Sequence, residues 1–309
     1  MTNQCTPEPE IFSDAERREL LHSYLASYAD GTATNVTEDR NLPGRLEVRS
    51  ITDQLLELIF PGFDGLPCSR ENLRHDTESR LKELEHLLYN QVSRAIRFIC
   101  ESKTCGSCNA VERSVKAVRT LLAAIPEIHA AMKLDVAAAY AGDPAASSSD
   151  EIILSYPCIK AIAIQRLAHV LYRQKTPLIP RMMTEYAHSE TGIDIHPGAS
   201  LGRGVFIDHG TGVVIGETAE IGDNVRIYQG VTLGALSFPK DSCGMLIKGR
   251  KRHPSVGSNV TIYAGATVLG DIHIGENCVI GGNVWLTEDL APGTKIIARP
   301  PDHQVKPAR

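Results

Sequence analysis

Apolar residues along the chain follow two different periods, and the change comes near residue 190. Before it, they recur at the three- and four-residue spacing of helices that bury one face. The clearest segments are 13–29, 77–99 and 110–125. Ser13 and Glu16 predict a capping box, Pro157 suits the first turn of a further helix, and the polar stretch 31–48 predicts a loop. The chain up to residue 190 is therefore predicted to be all-helical.

Beyond that point the apolar period becomes six. The repeating positions are Ile195, Leu201, Ile207 and Val213, then, after a slip of two, Ile215, Ile221, Ile227 and Leu233, and finally Val256, Ile262, Val268, Ile274, Ile280 and Leu286. A period of six fits short strands joined by tight turns, with one side chain per turn pointing into a narrow prism. Residues 191–299 are therefore predicted to form a parallel β-helix, which makes the fold class α+β. An ordinary β-rich domain is the alternative, and it does not explain so many consecutive hexads.

One insertion, 234–254, interrupts the repeat. It is rich in lysine and arginine and ends at His253. A loop extruded from a regular solenoid is more often functional than structural, and a basic loop suits an anionic ligand such as a phosphate or a carboxylate. The alternative is a solvated run of charge.

His209 is the strongest candidate for chemistry. Polar side chains on a narrow coil face outward, and the ordinary pKa of histidine, about 6.5, suits proton abstraction near neutrality. A carboxylate is needed to orient the imidazole, and Asp194 lies fifteen residues upstream, just under one turn of three hexads. Asp208 is adjacent in sequence. The alternative interpretation of an outward histidine is an ordinary surface residue.

Composition and charge limit which partners and which cellular compartment are expected for the protein. The net charge is −5, so neither nucleic acid nor an acidic membrane surface is an expected partner. No signal peptide and no run of about 18 apolar residues is present. Eight cysteines in 309 residues do not make a disulfide framework, so a reduced, cytoplasmic protein is expected.

Three motifs together resemble the serine O-acetyltransferase family. They are "GIDIHPGASLGRGVFIDHGTGVVIGETA" (192–219), "KRHP" (251–254) and "VGSNVTIYAGATVLG" (256–270), and the likeness covers about 134–298. The resemblance implies a left-handed β-helix enzyme that makes O-acetylserine from serine and acetyl-CoA for cysteine biosynthesis. His209 would be the general base and Asp194 its orienting carboxylate, and His253 would be the third catalytic residue.

The resemblance also implies how the substrates bind. Asp143 of "GDPA" and Asp208 would hold the ammonium of serine, Arg252 and His253 would hold its carboxylate, and Glu217 would support them. The pantetheine arm of acetyl-CoA would follow Gly234, Ala235, Ala264 and Gly282, although Ala235 and Gly282 differ from the residues of other members. Acetyl-CoA would be a cosubstrate, with no resident cofactor and no metal. The site would lie between β-helices of a homotrimer, and pairing of two trimers stays open.

Three features depart from the family pattern. The insertion is longer than in well-known members. The tail 300–309 ends at Arg309, whereas members that bind O-acetylserine sulfhydrylase end in isoleucine, so that complex is not expected. The third departure is the helical region before residue 134, with Cys100, Cys105 and Cys108 in an iron–sulfur-like spacing that Cys68 or the thiol of a neighbouring chain would complete. A turn with incidental cysteines is the favoured interpretation.

Other functions remain possible for the same pattern. A hexapeptide acetyltransferase with another acceptor and a non-catalytic regulatory subunit both fit the fold. A β-helix carbonic anhydrase needs three convergent histidines, two of them close in sequence. The coil-region histidines, His196, His209, His253 and His273, do not provide this.

Overall fold

The computed structural model describes residues 10–29, 42–63, 70–101, 109–237, 243–247 and 249–299. The chain forms two compact units, with the boundary between Asn41 and Leu42. The first unit contains helix α1 (Asp14–Tyr28), whose predicted capping box is confirmed. The Ser13 backbone N–H donates to Glu16 at 2.8 Å, and the Ser13 hydroxyl accepts from the Glu16 backbone at 3.4 Å.

The second unit begins with six helices among the residues described. They are α2 (Arg45–Ile59), α3 (Arg70–Glu101), α4 (Ala110–Gly142), α5 (Ser149–Ser155), α6 (Pro157–Arg173) and α7 (Ile179–Thr191). The predicted helices correspond to α1, α3, α4 and α6. The loop predicted for 31–48 is wrong at its end, because α2 already begins at Arg45. Its buried stripe starts with Val48 and continues through Ile51 and Leu55, which the surrounding charged residues conceal in the sequence.

Helix α4 determines where the first candidate residue lies. The apolar pattern ended near residue 125, but α4 continues through Pro126 to Gly142. Packing against α3 and α6 outweighs the one backbone hydrogen bond that proline removes. The helix ends at Asp143, whose backbone N–H donates to Ala139 at 2.9 Å. The continuation of α4 therefore places the Asp143 carboxylate at the helix terminus.

Fourteen short strands follow in the described part of the chain and build three parallel sheets. Sheet A contains β1 (Asp194–Ile195), β4 (Val214–Ile215), β7 (Thr232–Gly234), β10 (Thr267–Leu269) and β13 (Trp285–Leu286). Sheet B contains β2 (Ser200–Leu201), β5 (Glu220–Ile221), β8 (Ser255–Val256) and β11 (His273–Ile274). Sheet C contains β3 (Phe206–Asp208), β6 (Arg226–Tyr228), β9 (Thr261–Ile262), β12 (Val279–Ile280) and β14 (Lys295–Ile296).

Up to β13, successive strands fall in A, B and C in rotation, so the chain winds as a triangular β-helix. The hexad positions are buried inside it; Ile207, Ile227 and Ile262, for example, are at most 1% exposed. The predicted helical region followed by a β-helix of hexapeptide repeats is confirmed. No helix among the described residues is long and apolar enough to cross a membrane.

A buried ion pair joins the helices to the first coil. Asp135 of α4 is fully buried and accepts from Arg166 of α6 at 2.9 to 3.1 Å and from the Val205 backbone at 2.9 Å. Arg166 also donates to the carbonyls of Leu201 and Gly202. Burial raises the pKa of Asp135, although Arg166 opposes the shift. This junction fixes α4 and α6, and therefore the residues at their ends, against the β-helix.

Candidate active site

The turn from sheet C to sheet A, called here the C–A corner, is irregular in the first coil only. A coil with three regular hexads repeats after eighteen residues, as in the pairing of Val214 with Thr232. The first coil takes twenty, as in the pairing of Asp194 with Val214. The two extra residues lie between β3 and β4, where His209 adopts φ +57°. This corner forms a bulge that carries the imidazole outward, with 72% of its side chain exposed.

Two carboxylates flank His209 at this corner. The Asp208 Oδ1 atom lies 3.8 Å from His209 Nδ1. Asp143, at the end of α4, accepts from the Tyr156 hydroxyl at 2.5 Å and from the Ala145 backbone at 2.8 Å. These two hydrogen bonds lower the pKa of Asp143, and the nearby His209 contributes to the shift. The helical region and the β-helix thus each contribute one carboxylate to the surroundings of His209.

Asp208 lies against the first turn of α6. The hydrogen bond to Asp143 raises the pKa of Tyr156 to about 12, and the charge of Asp208 adds to the effect. Burial raises the pKa of Cys158 to about 12, again with a contribution from Asp208. The phenol and the thiol are therefore neutral at pH 7, which leaves Asp143 and Asp208 as the acidic groups of this corner. Such a pair is suited to a cationic group of a ligand.

The turn from sheet A to sheet B, called here the A–B corner, holds the second histidine. His253 is only 6% exposed, and its Nδ1 atom accepts from the Thr218 backbone at 3.1 Å and lies 2.8 Å from the Thr218 hydroxyl. Burial lowers the pKa of His253 to about 4, and Arg252 adds to the shift. Since Nδ1 accepts a backbone hydrogen bond, the single proton of the neutral ring is on Nε2. His253 is therefore held as a neutral hydrogen-bond donor.

Gly216 makes room for that ring. A Cβ atom there would lie 2.1 Å from Cδ2 and 2.2 Å from Nε2 of His253. No side chain fits at such distances, so the close approach of coil and imidazole requires glycine at this position. The glycine follows the buried Ile215, which sets the strand register of the corner. Gly216 of the motif "IGETA" therefore makes room for a histidine that lies 37 residues later in the sequence.

Arg252 is fixed by an acidic residue of the same corner. Its Nη2 atom donates to Glu217 at 2.5 Å, and the Tyr172 hydroxyl of α6 donates to the other Glu217 oxygen at 2.7 Å. Burial raises the pKa of Glu217, but these hydrogen bonds outweigh it and the net shift is downward. The ring of His196 packs edge-on against Tyr172 with centroids 5.8 Å apart. The guanidinium is thus oriented through α6, which the sequence did not indicate.

Asp194 occupies a different position from the one its spacing suggested. Asp194 pairs in register with Val214 of the next coil. The residue that stacks on Asp194 is therefore Val214, and His209 lies five residues earlier in the chain. The Asp194 carboxylate lies 3.5 Å from Arg181 of α7, and Arg181 also binds Glu185. The predicted partnership of Asp194 with His209 stays a prediction.

The four residues expected to contact acetyl-CoA are divided between the two corners. Gly234 ends β7 at the A–B corner, and Ala235 follows it at the start of the insertion. Ala264 and Gly282 lie at the C–A corner on successive coils, where a Cβ on Gly282 would be 3.1 Å from the Ala264 carbonyl. Each corner therefore carries half of this set, as it carries half of the serine-binding set.

The basic insertion is described only in part. Lys240 and Lys248 lie outside the described residues. Lys251 donates to the Thr218 carbonyl at 2.5 Å and lies 3.8 Å from Glu220, so it is fastened to the corner rather than solvated. The cysteines of the iron–sulfur-like spacing also lie outside the described residues. They are Cys68, Cys105, Cys108 and the side chain of Cys100.

The two corners do not meet within one chain. Among the described residues, no hydrogen bond or ion pair joins the group of Asp143, Asp208 and His209 to the group of Glu217, Arg252 and His253. Sheet A lies between them. One chain therefore presents an anionic group with an exposed imidazole at one corner and a cationic group with a fixed donor at the next.

This fold and these corners define a hexapeptide-repeat transferase. Residues 253–288 match the family described as Bacterial transferase hexapeptide (six repeats). A serine acetyltransferase of Synechococcus elongatus is 47% identical over 261 residues, which is 82% of this chain and 81% of that protein. The chain belongs to the serine acetyltransferase family and is an acetyltransferase, so the resemblance of its motifs is confirmed.

Solved structures agree with that assignment. Serine acetyltransferase isoform 3 of Entamoeba histolytica, in complex with cysteine, is 36% identical with a TM-score of 0.71, covering 94% of this chain and 93% of that chain. The Neisseria gonorrhoeae serine acetyltransferase in complex with serine is 27% identical with a TM-score of 0.53, covering 82% of this chain and 95% of that chain. Both helices and coils are thus shared with known family members.

Proposed function

We propose that the protein transfers the acetyl group of acetyl-CoA directly to the hydroxyl of L-serine, giving O-acetyl-L-serine for cysteine biosynthesis. The observation that carries the proposal is the charge pattern of the two corners. A zwitterionic amino acid needs an anionic site for its ammonium and a cationic site for its carboxylate, with a base between them. The C–A corner supplies the first and the base, and the A–B corner supplies the second.

The exposed imidazole of His209 is the general base. It takes the serine hydroxyl proton while the oxygen attacks the thioester carbonyl. The tetrahedral intermediate then expels the CoA thiolate, which receives the proton from the His209 imidazolium. One C–O bond forms and one C–S bond breaks, so no acyl-enzyme is needed. Asp208, 3.8 Å away, and Asp194 are the carboxylates available to stabilise the imidazolium.

The remaining residues orient serine. Asp143 and Asp208 bind its ammonium, while Arg252 binds its carboxylate with a guanidinium already aligned by Glu217. The Nε2–H group of His253 donates to the same carboxylate. Because its Nδ1 is occupied by Thr218, the donor direction of this ring is fixed before the substrate arrives.

The complete site forms between neighbouring chains of a homotrimer. From the second coil onward, the outward positions of sheet A are apolar or β-branched: Val214, Thr232, Thr267 and Trp285; Asp194 of the first coil is the exception. Those of sheet B are polar: Ser200, Glu220, Ser255 and His273. Sheet A is therefore the self-association face, and threefold packing through it sets the C–A corner of one chain beside the A–B corner of the next. Acetyl-CoA lies in the same cleft.

A thiol-release assay tests the reaction and its acceptor. The purified protein is given acetyl-CoA with L-serine, L-homoserine, L-threonine or an amino sugar. Rapid release with serine is expected. Release only with another acceptor would support a different hexapeptide acetyltransferase, and no release with any acceptor would favour a regulatory subunit.

Mixing inactive chains tests the shared site. His209→Ala and Arg252→Ala chains are purified, dissociated together and reassembled. If each site takes His209 from one chain and Arg252 from its neighbour, every mixed trimer keeps one intact site, and its activity recovers to about one third of the wild-type value. Sites built within single chains would recover nothing. Each variant reassembled alone is the control.

A further inference from the structure

The Asp143 carboxylate lies at the end of α4 where a negative charge is least favoured. The last carbonyl groups of a helix carry partial negative charge, so a cation stabilises this terminus and an anion does not. The last turn of α4 contains no basic residue. The neighbouring Glu151 adds a second negative charge; hydrogen bonds from Ser147 lower its pKa, and the charge of Asp143 opposes that shift. A compensating cation must therefore come from another element of the fold.

Arg226 of β6 supplies this cation. It pairs in register with Phe206 of β3, and its guanidinium carbon lies 5.6 Å from the centroid of the Phe206 ring. The ring itself is buried, because α4 packs over β3 at this point. A guanidinium is attracted to an aromatic face, so the Phe206 ring holds the Arg226 side chain near α4.

Gly142 lets the guanidinium approach the helix end. A Cβ atom at this position would lie 2.3 Å from Nη2 of Arg226 and 2.8 Å from Cδ1 of Phe206. Because the buried ring has no space to move aside, a methyl group there would displace the guanidinium. Gly142 directly precedes Asp143, so the cation packs one residue away from the carboxylate that needs it.

Arg226 acts on this terminus by charge and packing rather than by a fixed ion pair. Among the residues that the structure describes, its side chain has no hydrogen bond and no ion pair. Hydrogen bonds from Tyr156 and the Ala145 backbone are the main causes of the lowered pKa of Asp143, and the charges of His209 and Arg226 add to them. The guanidinium is therefore close enough to influence the carboxylate without occupying its oxygens.

We propose that Arg226 is a positioning residue for the serine-ammonium site, where it holds the end of α4 against β3 so that the Asp143 and Asp208 carboxylates keep their relative positions. This inference rests on the proposed function and deepens it, by adding a residue that acts on the ammonium site without touching the substrate. Helix α4 ends at Asp143 and β3 carries Asp208, and Arg226 packs against both elements. Its charge also offsets the repulsion between the carboxylates before the ammonium arrives.

Calorimetric titration of the intact protein with L-serine tests the inference without requiring turnover. Arg226→Met keeps the length of the side chain but removes its charge, and it should weaken binding about fivefold. Arg226→Lys keeps the charge and should stay within about twofold of the wild type. Gly142→Ala displaces the guanidinium without removing it, and it should weaken binding about threefold. Tighter binding in Arg226→Met would show that Arg226 mainly repels the ammonium, which overturns the inference.

A ligand without the ammonium separates this role from a structural one. The affinity for 3-hydroxypropionate should be the same in Arg226→Met as in the wild type, because this ligand makes no use of Asp143. An equal loss for both ligands would mean general damage to the corner and overturns the inference. Arg203→Met removes an arginine whose side chain is 60% exposed on the first coil, and as the control it should leave both affinities unchanged.

A double-mutant cycle then tests whether Arg226 acts through Asp143. In an Asp143→Asn background, Arg226→Met should change the serine affinity by less than about 1.5-fold, because the group it positions is already lost. A full fivefold loss in that background overturns the inference.

The same titrations distinguish this inference from the proposed reaction. If the wild type binds L-serine and the Arg226 variants behave as expected, but no thiol is released, only the proposed reaction fails. If the wild type releases thiol with serine and the Arg226 variants bind serine like the wild type, only the inference fails. If the wild type binds no L-serine, both fail.

Discussion

The C–A and A–B corners of the β-helix place their histidines in opposite environments. His209 stands on a bulge with 72% of its side chain exposed and carboxylates beside it. His253 is 6% exposed, fixed by Thr218 and next to Arg252. The first ring is open to solvent, and the second is confined to one tautomer. The difference comes from position on the coil, because the same residue type meets an anionic, open corner in one place and a buried, cationic one in the other.

The third corner shows what this fold does where no ligand is expected. The turns from sheet B to sheet C use only residues that accept a left-handed backbone. They are Gly204, Asn224, Asn259, Asn277 and Gly293, all with positive φ. The C–A and A–B corners depart from that regularity by two extra residues and by a long insertion. In this repeat, the interruptions mark the candidate site and the uninterrupted corner supports the scaffold.

Replacing His209 should have the largest effect. His209→Ala removes the proposed base while leaving an exposed position that packs against little, so kcat should fall about 10³-fold with the oligomeric state unchanged. Steady-state thiol release and size-exclusion chromatography measure the two properties. His273→Ala, another exposed histidine of the coil, is the control and should keep full activity. Near-normal turnover in His209→Ala would assign the base to a different group.

Replacing Arg252 at the A–B corner should have the second-largest effect. Arg252→Ala leaves the serine carboxylate without its proposed charged partner and Glu217 with only the Tyr172 hydrogen bond, so the KM for serine should rise about 100-fold. The KM for acetyl-CoA should change little. Arg252→Lys keeps the charge but loses the planar pairing, and it should fall between the two. An equal rise in both KM values would show that the whole cleft, rather than the carboxylate site, had been damaged.

The fold could be predicted from the sequence wherever a period was regular. Each hexad placed one apolar residue inside the prism, so the strand register followed from counting. The slip of two between Val213 and Ile215 was visible as well, and it is the signal that locates the His209 corner. Helix α2 was missed because charged residues surround the start of its apolar stripe at Val48.

The candidate site was harder to predict from the sequence than the fold, because its geometry depends on how each coil closes. Spacing alone suggested that Asp194 stacks near His209, but the coil repeats after twenty residues there and Asp194 faces Arg181. Tyr156 and Tyr172 stand at the two ends of the segment 156–172, but the sequence assigned them no role, and they reach the corners only through the docking of α6. The segments "IYQG" (227–230) and "IYAG" (262–265) repeat the same hexad, and their tyrosines, Tyr228 and Tyr263, stack with ring centroids 5.1 Å apart.

A smaller effect is expected from the support of the anionic corner. Tyr156→Phe removes the hydrogen bond that, more than any other contact, lowers the pKa of Asp143. The KM for serine should rise about fivefold, since the carboxylate loses its orientation. Without that bond the pKa of Asp143 rises, so the acid limb of kcat/KM should move to higher pH. The pH profile of the variant measures this, and an unmoved acid limb would show that Asp143 does not limit activity there.

The smallest effect concerns stability at the buried corner. Burial lowers the pKa of His253 to about 4, whereas an unfolded histidine titrates near 6.5. Between these values the unfolded chain binds more protons than the folded one, so stability falls as the pH is lowered through this window. The contribution is on the order of 2 kcal/mol, equivalent to a shift of about 5 °C in Tm.

His253→Gln should remove that part of the pH dependence. Thermal unfolding followed by calorimetry at pH 7 and pH 5, at one protein concentration, should show a smaller fall in Tm for the variant than for the wild type. His273→Gln, on the exposed face of sheet B, is the matched control and should behave like the wild type. Parallel falls in all three proteins would mean that other groups dominate the acid sensitivity. Confinement to the neutral form would then not be what distinguishes the A–B corner from the C–A corner.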